Sequence, residues 1–255
     1  MALTWRFKLG LIRFMRNLIS ILAILLTLGS VKPANAGFQE GLAAAERGDY
    51  ATALKEWRRL AEKGHSGALF NLGLMYAKGS GVVKNAEWAA LLFRQAAELD
   101  HSFAQMNLAV ALKAGKGVPQ NHAESVVWFR KVAQKGHLGA QFNLAIAYVK
   151  GLGVERDPAR AAHWFSKAAE GGLNIAQYNL GRAFETGDGV AKNNVLALKW
   201  YALAALTFPP GDARKTASAA RDKINKGLTQ AQAQEAEVEV RAWIQKHTVR
   251  SKKTK

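Results

Sequence analysis

Shifted by 36 residues, the chain matches itself. Four segments starting at Ser66, Ser102, Leu138 and Asn174 align without gaps. Their first halves read SGALFNLGLMYAKGSGV, SFAQMNLAVALKAGKGV, LGAQFNLAIAYVKGLGV and NIAQYNLGRAFETGDGV. Their second halves read NAEWAALLFRQAAE, NHAESVVWFRKVAQ, DPARAAHWFSKAAE and NNVLALKWYALAAL. A period in this range belongs to stacked arrays, in which one unit cannot bury its apolar face without the next.

Each unit reads as two helices. In the first, Ala68, Leu72, Met75 and Tyr76 recur at helical spacing, and Phe70 and Leu74 lie on the other side. A helix that is apolar nearly all round needs neighbours on more than one face. Paired glycines (Gly79/Gly81, Gly115/Gly117, Gly151/Gly153, Gly187/Gly189) end it, since glycine takes a left-handed cap without a Cβ clash. Asn85, Asn121, Asp157 and Asn193 are N-caps for the second helix. Small alanines alternate with aromatics along it, as at Ala161, Trp164, Phe165 and Ala168, so knobs meet recesses. The fold class is all-α, a solenoid of stacked helix pairs.

The flanks bound the stack. Residues 37–65 form an incomplete unit built on Gly41, Gly48-Asp49-Tyr50, Leu54 and Trp57. The repeats occupy residues 66–208, and Pro209-Pro210-Gly211 breaks the pattern. Residues 209–247 read as capping helices, with a capping box at Thr229/Gln232 and an apolar stripe of Ala236, Val240 and Trp243. Residues 248–255 read as a basic disordered tail.

The net charge of +17 sits mostly at the two ends. Residues 1–36 carry five bases and residues 241–255 carry six, with no acid in either stretch. The rest of the chain is only mildly basic, which gives no footprint for nucleic acid. The N-terminus runs from a basic stretch ending at Arg16, through an apolar run from Leu18 to Leu28, to Ala34-Asn35-Ala36. That order predicts a secretory signal peptide over residues 1–36, cut between Ala36 and Gly37, and a periplasmic or secreted body. An uncleaved membrane anchor is the alternative. The basic tail fits either contact with an anionic membrane surface or simple solubility. There is no cysteine, which excludes disulfides, thiolate metal sites and a lipidated N-terminus.

The pattern A-x-x-N-L-G-x-x-Y-x-x-G-x-G-V, followed by N/D-x-x-x-A-x-x-W-F/Y-x-K-A-A-E-x-G, resembles the Sel-one-like repeat, a relative of the tetratricopeptide repeat. The incomplete first unit is closer to a plain tetratricopeptide repeat. Departures are local: Leu92 stands where Trp128, Trp164 and Trp200 recur, and Ala109 and Ala145 replace glycine. The resemblance implies a right-handed solenoid whose first helices line a concave groove. It implies scaffolds and adaptors, among them exported bacterial proteins that bind envelope enzymes or sensor kinases. Some relatives are linked to cell-wall-like ligands.

No chemistry of an enzyme stands out. The GxG pairs follow helices and lack G-K-S/T, so they read as helix ends rather than phosphate loops. His65, His101 and His137 recur at the repeat period, about 10 Å apart at ordinary helix spacing, too far for one metal. They are expected at the ends of the second helices, against the last carbonyls. No catalytic residue, metal site or cofactor is assigned. Asn71, Asn107, Asn143 and Asn179 occupy one register on all four first helices. This ladder suits either an extended peptide or carboxylate in the groove, or hydrogen bonds between neighbouring helices. Phe70/Leu74, Met106/Val110, Phe142/Ile146 and Tyr178/Arg182 run beside it, as groove walls or as packing. The chain therefore reads as an exported, non-catalytic scaffold for a protein or peptide partner, such as a regulator of an envelope sensor. A cell-wall-binding protein or hydrolase, acting on peptidoglycan or a β-lactam, is the alternative. Its oligomeric state is open.

Overall fold

The computed structural model describes residues 34–253, with twelve helices and no strand among them. The chain divides into two compact units, up to Lys63 and from Gly64 onward. The apolar run of the expected signal peptide lies outside the described residues. Ala34, Asn35 and Ala36 form the first turn of a helix.

The first unit is a helical hairpin of α1 (Ala34–Glu46) and α2 (Tyr50–Ala61). Gly48 turns at φ +79°, and Asp49 caps α2 by accepting from the Thr52 amide at 3.1 Å. Thr52, through its side chain first and its amide second, holds the Asp49 carboxyl below its ordinary value. The indole of buried Trp57 lies over Gly41 so closely that a Cβ there would overlap it. The N-terminal glycine of the sequence pattern is thus a seat for the tryptophan.

The second unit stacks four helix pairs: α3 (Ser66–Lys78) with α4 (Ala86–Glu98), α5 (Ser102–Ala114) with α6 (His122–Gln134), α7 (Leu138–Lys150) with α8 (Pro158–Glu170), and α9 (Asn174–Thr186) with α10 (Asn194–Thr207). Each first helix packs on its own second helix, and each second helix packs on the first helix of the next pair. The core recurs with the repeat. Ala68, Ala104, Ala140 and Ala176 are fully buried, as are Leu108 and Leu144. Phe93, Phe129, Phe165 and Tyr201 fill the same register from the second helices. Every second helix starts at its predicted cap, where Asn85, Asn121, Asp157 and Asn193 each accept from the amide three residues on, at 2.8–3.0 Å. The backbone amides of the same four residues reach back to Tyr76, Leu112, Tyr148 and Phe184 of the preceding helix, at 2.9–3.0 Å.

The second glycine of the last three pairs sets the distance between repeats. A Cβ on Gly117 would overlap the Ala86 carbonyl, one on Gly153 the backbone of His122, and one on Gly189 the Pro158 carbonyl. These residues begin the second helix of the preceding pair. Their φ values of +73°, +73° and +81° also exclude a Cβ in comfort.

The repeating histidines differ from expectation. The backbone amides of His101 and His137 do meet the last carbonyls of the second helices, at Ala96 (3.1 Å) and Val132 (3.3 Å). Their rings instead cap the following first helix. Nδ1 of His65, His101 and His137 accepts from the amides of Ala68, Ala104 and Ala140 at 3.1–3.2 Å. A helix start has free amide donors and a helix end has free carbonyls, and an imidazole lone pair fits the former. In the fourth pair Leu173 takes the position and makes no side-chain cap.

The stack ends on α11 (Asp212–Asn225) and α12 (Gln230–Lys253). Thr229 and Gln232 form the capping box, with Oγ1 accepting from the Gln232 amide at 3.3 Å and Oε1 from the Thr229 amide at 3.0 Å. Ala236 and Trp243 are buried on the expected stripe. Where the sequence predicts a disordered tail over residues 248–255, the helix continues to Lys253, and residues 254–255 lie outside the described residues. No glycine or proline interrupts it, and bases near a helix C-terminus favour the macrodipole. Glu239 pairs with buried Lys199 of α10 at 2.9 Å. His247 clamps α12 to the end of α8. Its ring stacks on Trp243, 3.7 Å between centroids, and its two nitrogens face the Trp243 and Glu170 carbonyls at 2.8 and 2.7 Å.

Burial holds the imidazole of His101 below its ordinary value, with His65 adding repulsion. A histidine that is harder to protonate folded than unfolded stabilises above the unfolded pKa of about 6.5 and loses that stability as pH falls below it. Protonation at Nδ1 also removes the cap. Melting temperature should therefore fall as pH drops from 7 to 5. His101→Asn, which caps without titrating, should flatten that slope in thermal unfolding followed by circular dichroism.

Candidate protein-binding face

The four asparagines do lie in one register, all half-buried, on α3, α5, α7 and α9. The amide donors of three of them bond within their own helix rather than between helices. Nδ2 of Asn107, Asn143 and Asn179 donates to the carbonyl four residues back, at Phe103, Gly139 and Ile175, over 2.7–2.8 Å. The amide is planar, so its Oδ1 turns to the other side. The ladder thus presents acceptors. At Asn143 that acceptor is taken by Lys113 Nζ at 2.7 Å.

The bridge between neighbouring helices belongs to a second set of amides. Gln105, Gln141 and Gln177 are buried, and Nε2 of each donates to the second helix of the preceding pair, at Ala97, Ala133 and Ala169, over 3.1–3.3 Å. Gln105 also reaches Asp100 Oδ1 at 2.9 Å. These glutamines recur visibly in SFAQMNL, LGAQFNL and NIAQYNL. In the first pair Leu69 fills the register.

The apolar residues beside the ladder separate into two groups. Phe70, Phe142 and Tyr178 pack on the ring of their own second helix, Phe93, Phe165 and Tyr201, with centroids 5.4–5.9 Å apart. Phe70 also stacks on His101 at 4.7 Å. These three are packing, and Leu74, Met106 and Ile146 are half-buried with them. Val110 and Arg182 are exposed. Each borders a cleft that also holds the asparagine of its helix. The cleft at Asn107 measures about 140 Å³ and is walled by Ala77, Ala86, Ala89, Ala90, Phe93 and Val110. The one in the same register at Asn179, with Val149 and Arg182, holds only about 20 Å³. Phe103, which sequence reasoning passed over, is 61 % exposed one turn before Asn107. Phe103 and Val110 are the large apolar residues that the first helices leave exposed, and both flank Asn107.

Charged groups serve the joints between helices. Arg94 of α4 pairs with Glu124 of α6, and this bond lowers the Glu124 carboxyl. Glu185 accepts from the Tyr201 hydroxyl at 2.6 Å and from Lys223 of α11 at 2.9 Å, and the tyrosine bond leads in lowering it. Burial, then Glu185, raises the Tyr201 hydroxyl. Among the described residues no three His, Asp or Glu side chains gather to hold a metal, and no helix is long and apolar enough to cross a membrane.

The two amide sets separate by mutation. Gln105→Leu removes the Nε2 bonds to Asp100 Oδ1 and to the Ala97 carbonyl, which keeps the Asp100 amide as its donor, and each lost bond costs about 0.5–1.5 kcal/mol. It should lower the melting temperature by several degrees, whereas Asn107→Ala, on the half-buried face, should leave it within about one degree. Equal losses in thermal unfolding would show the asparagines to be structural.

The Sel1 repeat model matches residues 66–101, 102–137, 139–173 and 174–206, which coincide with the four helix pairs. Among solved structures, a protective antigen of uropathogenic Escherichia coli with an SLR fold is 36 % identical, with a TM-score of 0.70, over 84 % of this chain and 46 % of that one. The chain thus spans about half the length of that relative. A Sel1 repeat protein from Oxalobacter formigenes is 30 % identical, with a TM-score of 0.62, over 67 % of this chain and 68 % of that one. No curated protein matches the chain. Sel1 repeat proteins are generally non-catalytic scaffolds for protein interaction. With four matched repeats, each folded as a pair of packed helices, the chain belongs to the Sel1 repeat family.

Proposed function

We propose that the protein is an exported, non-catalytic adaptor that holds a segment of a protein partner on the face of its first helices, in the bacterial envelope. The observation that carries this reading is the cleft at Asn107. It combines a mainly apolar pocket, an amide acceptor and the exposed Val110 side chain, with exposed Phe103 one turn away on the same helix. Binding hot spots are built in this way, from an apolar anchor beside a few oriented polar groups. Regulation of an envelope sensor fits an adaptor of this kind. The basic/apolar/A-x-A order of the N-terminus supports export, as does the description of the E. coli relative as a protective antigen.

A second reading, a cell-wall glycan-binding protein, draws on one feature. Oε1 of buried Gln141 has no hydrogen-bond partner and lines a cleft of about 820 Å³ with Trp164, Ser166, Lys167, Glu170 and Lys246. In the same register, Lys135 and Thr207 supply donors to Gln105 and Gln177 at 3.4 and 3.0 Å, while here Gly171 supplies none. Retention of the protein on purified peptidoglycan, lost in Gln141→Leu, would favour this reading over the first.

Two measurements test the leading reading. The exported protein should have the mass of residues 37–255, and an intact mass that retains residues 1–36 indicates the anchor instead. A photo-crosslinker at Val110 should capture one envelope protein in intact cells, and the same crosslinker at exposed Val238 on α12 should not. Equal capture at both positions overturns the assignment of the binding face.

A further inference from the structure

If the face of the first helices is the binding face, its successive clefts state what the partner segment looks like. Three junctions repeat one set of positions with different residues. At the first junction the walls are Ala77, Ala89, Ala90 and Ala114, and Asn107 keeps its Oδ1 free of a hydrogen bond within the chain. At the second, Lys113 stands in the register of Ala77 and Lys150 in that of Ala114. Lys113 crosses to Asn143 Oδ1 at 2.7 Å, with its ammonium 5.9 Å from the Phe129 ring centre. At the third, Val149, Thr186 and Arg182 close the space to about 20 Å³. Small alanines with Phe93 and Val110 make the first cleft open and mainly apolar, and Lys116 is the one charged residue lining it. Lysine at both ends makes the second cationic.

Charge follows the same division. The helices α3, α5 and α7 carry Lys78, Lys113 and Lys150 and no acid. Acid enters this row only in the fourth pair, at Glu185, which is spent on Tyr201 and Lys223. A partner lying along the first three pairs meets one sign of charge, and complementary charge selects partners and speeds their encounter.

We infer that the cleft at Asn107 receives an aliphatic side chain of an extended, acidic partner segment, and that Lys113 and Lys150 receive a carboxylate of the same segment. Neighbouring helices pack about 8–10 Å apart and an extended chain advances about 3.3 Å per residue, so the carboxylate lies about three residues from the aliphatic anchor. The carboxylate draws Lys113 away from Asn143, and that frees a second amide acceptor for the partner's backbone. Asn107 Oδ1 accepts the first backbone N–H.

The test uses fluorescein-labelled peptides and the full exported chain. The chain direction is left open by a pair of probes, Gly-Ser-Leu-Ser-Ser-Glu-Ser-Gly and Gly-Ser-Glu-Ser-Ser-Leu-Ser-Gly. One of them should bind saturably in fluorescence polarisation. Replacing its Leu by Ser, or its Glu by Lys, should weaken binding roughly tenfold. Val110→Arg copies the third junction into the first and should cost a similar factor, with an unchanged circular dichroism spectrum. Lys113→Glu should reverse the preference, so that the lysine peptide becomes the better ligand. Binding that ignores the Leu, or that survives Val110→Arg in a folded protein, overturns the inference, as does failure of both peptides. If both peptides fail while the Val110 crosslinker still captures one envelope protein, the binding face stands and only the aliphatic-acidic assignment falls.

Discussion

Backbone meets backbone where successive units join, and the rest of the stack depends on that approach. The loops after α5, α7 and α9 run over the start of the preceding second helix, at Gly117 over Ala86, Gly153 over His122 and Gly189 over Pro158. No side chain fits between them. The approach fixes the offset between pairs, and at that offset the other repeated contacts come into reach. Gln105, Gln141 and Gln177 meet carbonyls of the preceding helix, and fully buried alanines fill the remaining space. A dispersion or hydrogen-bond contact loses much of its strength within an ångström, so a side chain at the glycine would loosen many contacts together.

The elements legible in the sequence are those decided by local physics. The period, the glycine ends and the Asn or Asp caps each depend on a few consecutive residues, and the helices start and stop where those residues lie. The histidines show where this runs out. A histidine between two helices satisfies the end of one or the start of the next, and sequence alone does not choose. The structure divides the residue, with its backbone N–H on the old helix and its ring on the new one. The amides show a second limit. Asparagine and glutamine recur at the same period two positions apart, and either suits a bridge between helices. Reach decides, because the longer glutamine spans the gap while the asparagine folds back on its own turn.

Exposure was the least legible property. Met106/Val110 and Phe142/Ile146 look alike as sequence, yet Val110 is 41 % exposed and Ile146 is half-buried. The preceding units differ as well, with Ala77 lining the cleft beside Val110 and Lys113 reaching Asn143 on the helix of Ile146. A residue's neighbours one period away therefore matter as much as the residue itself. The C-terminal helix is a related case, since a basic stretch without apolar periodicity gives no sign that α12 continues through it to Lys253.

A repeat separates two kinds of information. Positions that must match from unit to unit hold the stack together, and a partner contacting only those would find four equivalent seats and no preferred register. Register comes from positions free to differ. Ala77, Lys113 and Val149 share one position, as do Val110, Ile146 and Arg182, and none of the six is fixed by the glycine approach or the glutamine bridge. Gly171 is the instructive exception. It stands in the register of Lys135 and Thr207, the Leu138 side chain lies where its Cβ would be, and Gln141 Oε1 is left without the donor that the other two supply. In a solenoid, a change made to pack one joint alters the chemistry of the cleft beside it, and specificity and packing evolve through the same small set of positions.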